Sequence, residues 1–279
     1  MSSAVPTELT RYRSGCDPEA HEDVLAAEEP LEIRVEGHSI AVVMRTPGHD
    51  RELAAGFLLT EGLINSTRDV FDIVTCVDAG AAGKGNAVDV ALARPADFEF
   101  SKLTRHVFTS SSCGICSKAS IDAVMQQRAR LADDFKIEAD LLLALPGRLS
   151  AGQETFRRTG GLHACALFTR DGKLVELRED VGRHNALDKI IGHALLENRT
   201  PLREHVVLLS GRASFEMMQK AHAGGIAIVA AISAPSSLAV QFARESGQTL
   251  AGFVREGSLN VYAGVERLTF TKSKTPAAG

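Results

Sequence analysis

Residues 205–254 read HVVLLSGRASFEMMQKAHAGGIAIVAAISAPSSLAVQFARESGQTLAGFV, and their pattern decides the fold. Three short apolar runs, His205–Leu209, Ile226–Ile232 and Thr249–Val254, have the length and composition of strands buried on both faces. Between them, Ser214–His222 and Ser236–Glu245 place their apolar residues at helical spacing. Strands alternating with helices predict a mostly parallel sheet covered on both faces, so this part of the chain is α/β.

The same texture extends upstream. His163–Thr169 and Leu174–Glu179 read as strands joined at Arg170-Asp-Gly-Lys173, where Asp-Gly favours a tight hairpin. Asn185–Leu196 reads as a helix with Leu187, Ile190, Ile191, Ala194 and Leu195 on one face. Downstream, a turn at Arg255–Ser258 leads to a last extended piece, Leu259–Ala263. The N-terminal part is smaller and mixed α+β. It has strands at Leu31–Val35 and Ser39–Met44, then a helix with Asp50 as N-cap and Gly62 at its end. Further strands are expected at Phe71–Val77 and Ala87–Leu92 around a glycine-rich turn, Ala79–Gly85, and Phe98–Thr109 is expected to be extended. An amphipathic helix over Ser117–Leu131 precedes a short helix, Leu141–Leu145, stopped by Pro146-Gly147. The expected organisation is a flexible arm (1–20), an α+β domain (21–136), an α/β domain (137–270) and a flexible tail (271–279).

Composition narrows the function. The chain has 279 residues, 44% hydrophobic and 24% charged, with a net charge of −4. An acidic balance, no Trp and two Tyr give no footing for a nucleic-acid partner. No signal-peptide run opens the chain and no apolar run is long enough for a membrane span, so a cytoplasmic location is expected. In that reducing compartment, Cys113-Gly-Ile-Cys116 reads as catalytic or metal-binding rather than as a structural disulfide.

Three readings of that pair compete. A zinc site needs two more ligands, and no second C-x-x-C supplies them. A dithiol redox centre needs a strand–motif–helix context, which the flanks meet in part. A persulfide carrier needs an exposed, low-pKa thiolate; the serines before Cys113, the helix expected after it and Lys118 favour one. The residues alone leave all three open. Cys16, Cys76 and Cys165 read as ordinary, with Cys165 buried in its strand.

In a parallel sheet, ligands bind beyond the carboxyl ends of the strands, at helix N-termini. Asp180-Val-Gly-Arg-His-Asn185, Ser210-Gly-Arg-Ala-Ser-Phe-Glu216 and Ser233-Ala-Pro-Ser-Ser237 all occupy such junctions. Gly182, Arg183 and His184, with Ser210, Gly211, Arg212 and Ser214, are residue types that receive phosphate oxygens. Phe253, Val254, Arg255, Glu256, Gly257 and Ser258 form a fourth candidate after the last strand of the series. Ser and Gly are also ordinary capping residues, and His163 and His184 are residues more often structural than catalytic, His184 being the better candidate because of its neighbours. Neither a Walker A nor a G-x-G-x-x-G pattern is present.

These segments carry a family likeness. Cys113–Cys116, Gly160-Gly-Leu-His163, Glu179–Lys189, Ser210–Glu216, Ile232-Ser-Ala-Pro235 and Pro47–Gly62 resemble the FdhD family of formate dehydrogenase accessory sulfur carriers, from about Glu29 to Tyr262. The resemblance implies a cytidine-deaminase-like, three-layer C-terminal domain. It implies a sulfurtransferase in which Cys113 carries a persulfide received from a cysteine desulfurase, with Cys116 as helper. The sulfur would pass to the molybdenum bis(molybdopterin guanine dinucleotide) cofactor before that cofactor enters formate dehydrogenase. Phe253–Ser258 would bind the cofactor, GDP would mimic it, and a homodimer is expected, with no zinc. Deamination is excluded, because His-x-Glu paired with a later Pro-Cys-x-x-Cys is missing. A cofactor-binding chaperone without catalysis and a C-x-x-C metal module remain the alternatives.

Overall fold

A computed structural model describes residues 2–76, 85–97 and 129–271. In chain order its strands are β1 (Ala4–Arg11), β2 (Glu19–Ala26), β3 (Glu29–Val35), β4 (His38–Arg45), β5 (Val70–Cys76), β6 (Ala87–Leu92) and β7 (Ile137–Glu138). They continue with β8 (His163–Thr169), β9 (Leu174–Asp180), β10 (His205–Leu209), β11 (Ile228–Ala231), β12 (Thr249–Arg255), β13 (Ser258–Ala263) and β14 (Leu268–Thr269). The described α-helices are α1 (Asp50–Thr60), α2 (Ala139–Gly152), α3 (Glu154–Thr159), α4 (Arg183–Leu196), α5 (Phe215–Ala223) and α6 (Ser237–Ser246). No described helix is long and apolar enough to cross a membrane.

The chain divides into two compact units that interleave in sequence. Unit 1 comprises Met1–Gln126, Gly152–Cys165 and Leu177–Thr200; unit 2 comprises Gln127–Ala151, Ala166–Glu176 and Pro201–Gly279. A single cut after residue 136 does not reproduce this division, because α4 packs on α1 and so belongs with the N-terminal residues.

In unit 1, β4, β3, β6 and β5 form a four-stranded sheet in that order. β3 pairs with β6 in parallel, and the outer pairs are antiparallel. Leu31, Ile33 and Val35 alternate onto the buried face of β3, as a period of two requires. α1 buries Leu53, Ala54 and Leu58, and its main partner is α4. The two helices meet backbone to backbone. A Cβ on Gly56 would fall inside the van der Waals envelope of the Asp188 carbonyl, and one on Gly192 inside that of Glu52. The close crossing therefore depends on two glycines.

A six-stranded sheet has the order β13-β12-β11-β10-β8-β9, and β10 to β13 lie in unit 2. β10, β11 and β12 are parallel, and their residues Val206–Leu209 and Ile228–Ala231 are buried throughout, as continuous apolar runs predict. β13 returns antiparallel to β12, with register shifts at Leu250/Ala251 and Gly252/Arg255. α5 and α6 pack together, with Phe215 and Phe242 edge to face at 5.4 Å.

Several local expectations change. Residues 4–26 form an antiparallel hairpin rather than a featureless arm, with Ala4 opposite Ala26 and Arg11 opposite Glu19. Asp50 is the first helical residue instead of the cap; His49 takes the cap position in the left-handed conformation, with no side-chain capping bond, while the Asp50 carboxylate binds Arg45. Proline does not stop the helix at 145, because α2 runs through Pro146 to Gly152. Leu142, Leu145 and Leu149 are fully buried along one face, and their burial outweighs the one backbone bond that proline removes. α3 was not foreseen. The extended stretch 98–109 and residues 117–128 of the expected helix lie outside the described residues; Arg130 and Leu131 at its end are not helical.

Candidate functional site

The junction between β9 and α4, within unit 1, turns out to be a lock. The side chain of Asp180 is fully buried, and its Oδ1 accepts from the Gly182 amide at 2.8 Å and from Asn185 Nδ2 at 2.9 Å. Its Oδ2 accepts from the Thr46 amide at 3.2 Å and pairs with Lys189 Nζ at 2.6 Å. Lys189, also buried, donates a second bond to the Thr46 carbonyl at 2.9 Å, and Asn185 donates to the Met44 carbonyl at 2.7 Å. The Thr46 hydroxyl accepts from the Val181 amide at 3.1 Å. One turn further on, Asp188 accepts from the Thr60 hydroxyl at 2.8 Å. Asp180, Asn185, Asp188 and Lys189 thus tie the β4–α1 loop and α1 to α4. A buried pair satisfied on this scale is an architectural device. Gly182 serves the same lock, since a Cβ there would crowd Asn185 Nδ2 at 2.7 Å. Arg183, at the first position of α4, differs: its Nε is buried and has no hydrogen-bond partner among the described residues.

The other three junctions all lie in unit 2, and backbone contacts draw them together. An isolated parallel bridge joins Ala213 to Pro235; the Ala213 amide donates to the Ala234 carbonyl and the Ser236 amide to the Ala213 carbonyl. The Phe253 amide donates to the Ser233 carbonyl at 3.1 Å. A Cβ on Gly252 would meet Pro235 Cδ at 2.9 Å and Tyr262 Cε2 at 3.0 Å, so glycine lets β12 approach the 233–235 loop. These adjacencies between Ala213, Ser233 and Pro235 carry no sequence signature; they follow from strand order.

The hydroxyls in this cluster divide. Ser236 caps α6 by accepting from the Ala239 amide at 3.2 Å. Ser214 occupies the equivalent place before α5, yet its side chain makes no cap, and its buried Oγ has no hydrogen-bond partner among the described residues. Arg212, Arg255, Glu256, Gly257 and Ser258 are exposed, and Ser210 and Gly211 are half-buried. Val254 is fully buried, so only its backbone could meet a ligand. Phe253 is exposed and adopts φ 51°, a left-handed conformation that costs a bulky residue energy and arises where β12 bulges against β13. Glu256 and Gly257 make the turn between those strands. Exposed arginines, an unspent serine hydroxyl at a helix N-terminus and a presented aromatic ring are together suited to an anion carrying a planar base.

Cys113 and Cys116 lie outside the described residues. Of the described cysteines, Cys165 is buried, and burial reinforced by the nearby Asp188 and Asp180 charges pushes its thiol well up, which makes it a poor nucleophile. Cys16 is exposed and Cys76 half-buried. Among the described residues, no group of three or more His, Cys, Asp or Glu side chains could hold a metal ion.

A further polar cluster of unit 1 has no signature in the sequence. Glu52, on the first turn of α1, receives Arg178 through Nε at 2.6 Å and Nη2 at 2.8 Å. His193 Nδ1 lies 3.1 Å and His49 Nδ1 3.4 Å from the same carboxylate. Burial alone would raise the Glu52 carboxyl; the Arg178 and His49 hydrogen bonds outweigh it and hold the pKa at about 2. Four residues from three distant segments meet here, so spacing in the sequence could not reveal them.

Comparison with known proteins identifies the family. The profile of the FdhD/NarQ family matches residues 26–269. The Sulfur carrier protein FdhD of Streptomyces coelicolor is 54% identical over 251 residues, covering 88% of this chain and 89% of its own length. The protein of the same name from Mycobacterium tuberculosis is 48% identical over 279 residues, covering 96% of this chain and 100% of its own length. A crystal structure from Desulfotalea psychrophila, described as a formate dehydrogenase accessory protein, superposes with a TM-score of 0.77 over 96% of this chain and 100% of that one; at 24% identity it supports the shared fold. With identities near one half over nearly the whole length, this chain belongs to the FdhD/NarQ family.

Proposed function

We propose that this protein is a sulfur carrier required for formate dehydrogenase activity, and that it acts as a sulfurtransferase through Cys113. The observation that carries the proposal is its 48–54% identity, over most of its length, with proteins named as sulfur carriers, in a chain that holds Cys113-Gly-Ile-Cys116. The Cys113 thiolate attacks the outer sulfur of a persulfide on a cysteine desulfurase. A new S–S bond forms on Cys113, the desulfurase S–S bond breaks, and the desulfurase cysteine leaves as thiolate. Cys116 assists release. The acceptor is the molybdenum of the bis(molybdopterin guanine dinucleotide) cofactor, bound as a client before it enters formate dehydrogenase.

The unit 2 junctions support this reading. In this reading the buried Ser214 hydroxyl and the exposed Arg212 would receive phosphate oxygens, with Ser210 and Gly211 beside them in the chain, and Phe253–Ser258 would offer a ring and Arg255. GDP carries the same phosphates and base and is the probe for this site. The working unit is proposed to be a cytoplasmic homodimer.

Incubation with a cysteine desulfurase and cysteine is expected to add the mass of one sulfur atom to the Cys113 peptide. Cys113→Ala should abolish that addition and formate dehydrogenase activation while leaving GDP binding intact. Full activation by Cys113→Ala would replace the carrier with a cofactor-binding chaperone.

A further inference from the structure

We propose that the β1–β2 hairpin is a docking arm, and that the outer edge of β2 takes an extended segment of a partner protein in which apolar and basic side chains alternate.

The hairpin lies ahead of nearly all of the family-matched residues 26–269, so what the family shares does not account for it. Among the described residues it joins no further strand. Only its base is seated: Ala4 is buried, and a Cβ on Gly161 would come within 3.3 Å of Ala26 Cβ. A two-stranded ribbon is marginally stable in water, and a third strand is what completes it. β1 carries Pro6, which has no N–H to give an incoming strand. β2 has no proline, so its edge is the one open to main-chain pairing.

The register sorts the side chains onto two faces. On one, Val5 stands directly opposite Leu25, each 50% exposed, and Leu9 lies further along the same face. On the other, Glu8 stands directly opposite Glu22; both are exposed, and no basic side chain shares that face. Like charges directly opposite destabilise a strand pair, and a cation beside them relieves the cost. An added strand sends successive side chains to opposite faces. Alternating apolar and basic residues would therefore extend the Val5–Leu25 surface on one face and neutralise Glu8 and Glu22 on the other.

Net charge selects the same partner class. Five carboxylates, Glu8, Asp17, Glu19, Glu22 and Asp23, stand against two arginines, Arg11 and Arg13, so the hairpin holds three of the chain's four net negative charges. No ion pair among the described residues involves any of the five. Nucleic acid, an anionic membrane and a second acidic hairpin are all repelled by such an arm, whereas a basic protein segment is attracted.

The test is fluorescence anisotropy on the full chain with a labelled peptide of alternating Val and Lys, about eight residues long, against its Val/Glu counterpart. Saturable binding of the Val/Lys peptide is expected, at least about tenfold tighter than Val/Glu. Glu8→Lys with Glu22→Lys should reverse that preference; it keeps a like-charge pair at the same exposed positions, so the hairpin is no less stable than before. Leu25→Ser should weaken both peptides. The same charge change at two exposed carboxylates of unit 2, Asp134→Lys with Glu138→Lys, should leave the preference intact. Equal binding of the two peptides, retention of the preference in the hairpin variant, or its loss in the unit 2 variant would overturn the proposal. Self-association in sedimentation that Leu25→Ser abolishes would also overturn it, assigning the hairpin to a second copy of this chain.

Discussion

Two strand-to-helix junctions of this protein use similar residue types and do opposite things. In Asp180–Asn185, between β9 and α4, Asp180 and Asn185 are spent on their own unit while Arg183 Nε is not: Asp180 receives four donors, one of them Lys189, which has two acceptors. Ser210–Ser214, between β10 and α5, leaves a buried hydroxyl unpartnered and an arginine exposed. Gly, Arg and a small polar residue occur in both. What separates them is whether a second chain segment arrives to take the hydrogen bonds. The Met44–Thr46 loop does so at the first junction, while at the second the 233–235 loop contributes backbone contacts to Ala213 and leaves Ser214 alone.

The sharpest way to break the contrast is Lys189→Met. It leaves the Asp180 carboxylate buried without its cation and should cost about 3 kcal/mol or more, read as a lower urea midpoint at unchanged slope. Asp180→Asn combined with Lys189→Met removes both charges and should recover part of that loss. A cost below about 1 kcal/mol for the single change would mean that the pair is not a lock.

Gly192→Ala strikes the same lock through packing. Its Cβ would meet the Glu52 carbonyl, which is helix backbone and cannot swing aside, so a loss of about 1–3 kcal/mol is expected. Thermal denaturation would measure it, and an unchanged midpoint would show that the crossing can open without penalty.

The two serines give the finest comparison. Ser236→Ala removes a working cap and should cost about 1 kcal/mol. Ser214→Ala removes a hydroxyl that bonds none of the described residues and should stay within about 0.5 kcal/mol of the parent, yet weaken GDP in calorimetry by about tenfold. Equal stability losses with unchanged GDP affinity would make Ser214 an ordinary cap.

Acid should expose a smaller difference elsewhere in unit 1. Folding depresses the Glu52 pKa from 4.5 to about 2, so its contribution is fully present above about pH 4.5 and declines as pH falls toward 2. Glu52→Gln should flatten the stability profile across that window. A profile with the same slope in the variant would assign the acid loss to other carboxylates.

Much of this was legible from residues alone. The runs His205–Leu209, Ile226–Ile232 and Thr249–Val254 needed no structure to be read as buried strands, because burial on both faces leaves no room for polar residues. The helix opening at Asp50 and ending at Gly62 and the Arg170–Lys173 turn were equally plain, and the motifs pointed to the correct family. Pro146 misled because a local rule about one lost hydrogen bond competed with three buried leucines, and burial is decided by the whole fold. The hairpin at 4–26 was missed because its strands are mostly exposed and so lack an apolar period.

Local periodicity is a property of neighbours in the chain, so the sequence by itself determined strands, helices, the α/β class and the Cys113–Cys116 motif. The role of each residue in the Glu179–Lys189 run was decided only when β9, α1 and α4 packed together. A carboxylate, a lysine and a serine have the same chemistry wherever they stand. Burial and the arrival of a partner from a distant segment turned Asp180 and Lys189 into a lock and left Ser214 with a hydroxyl unspent.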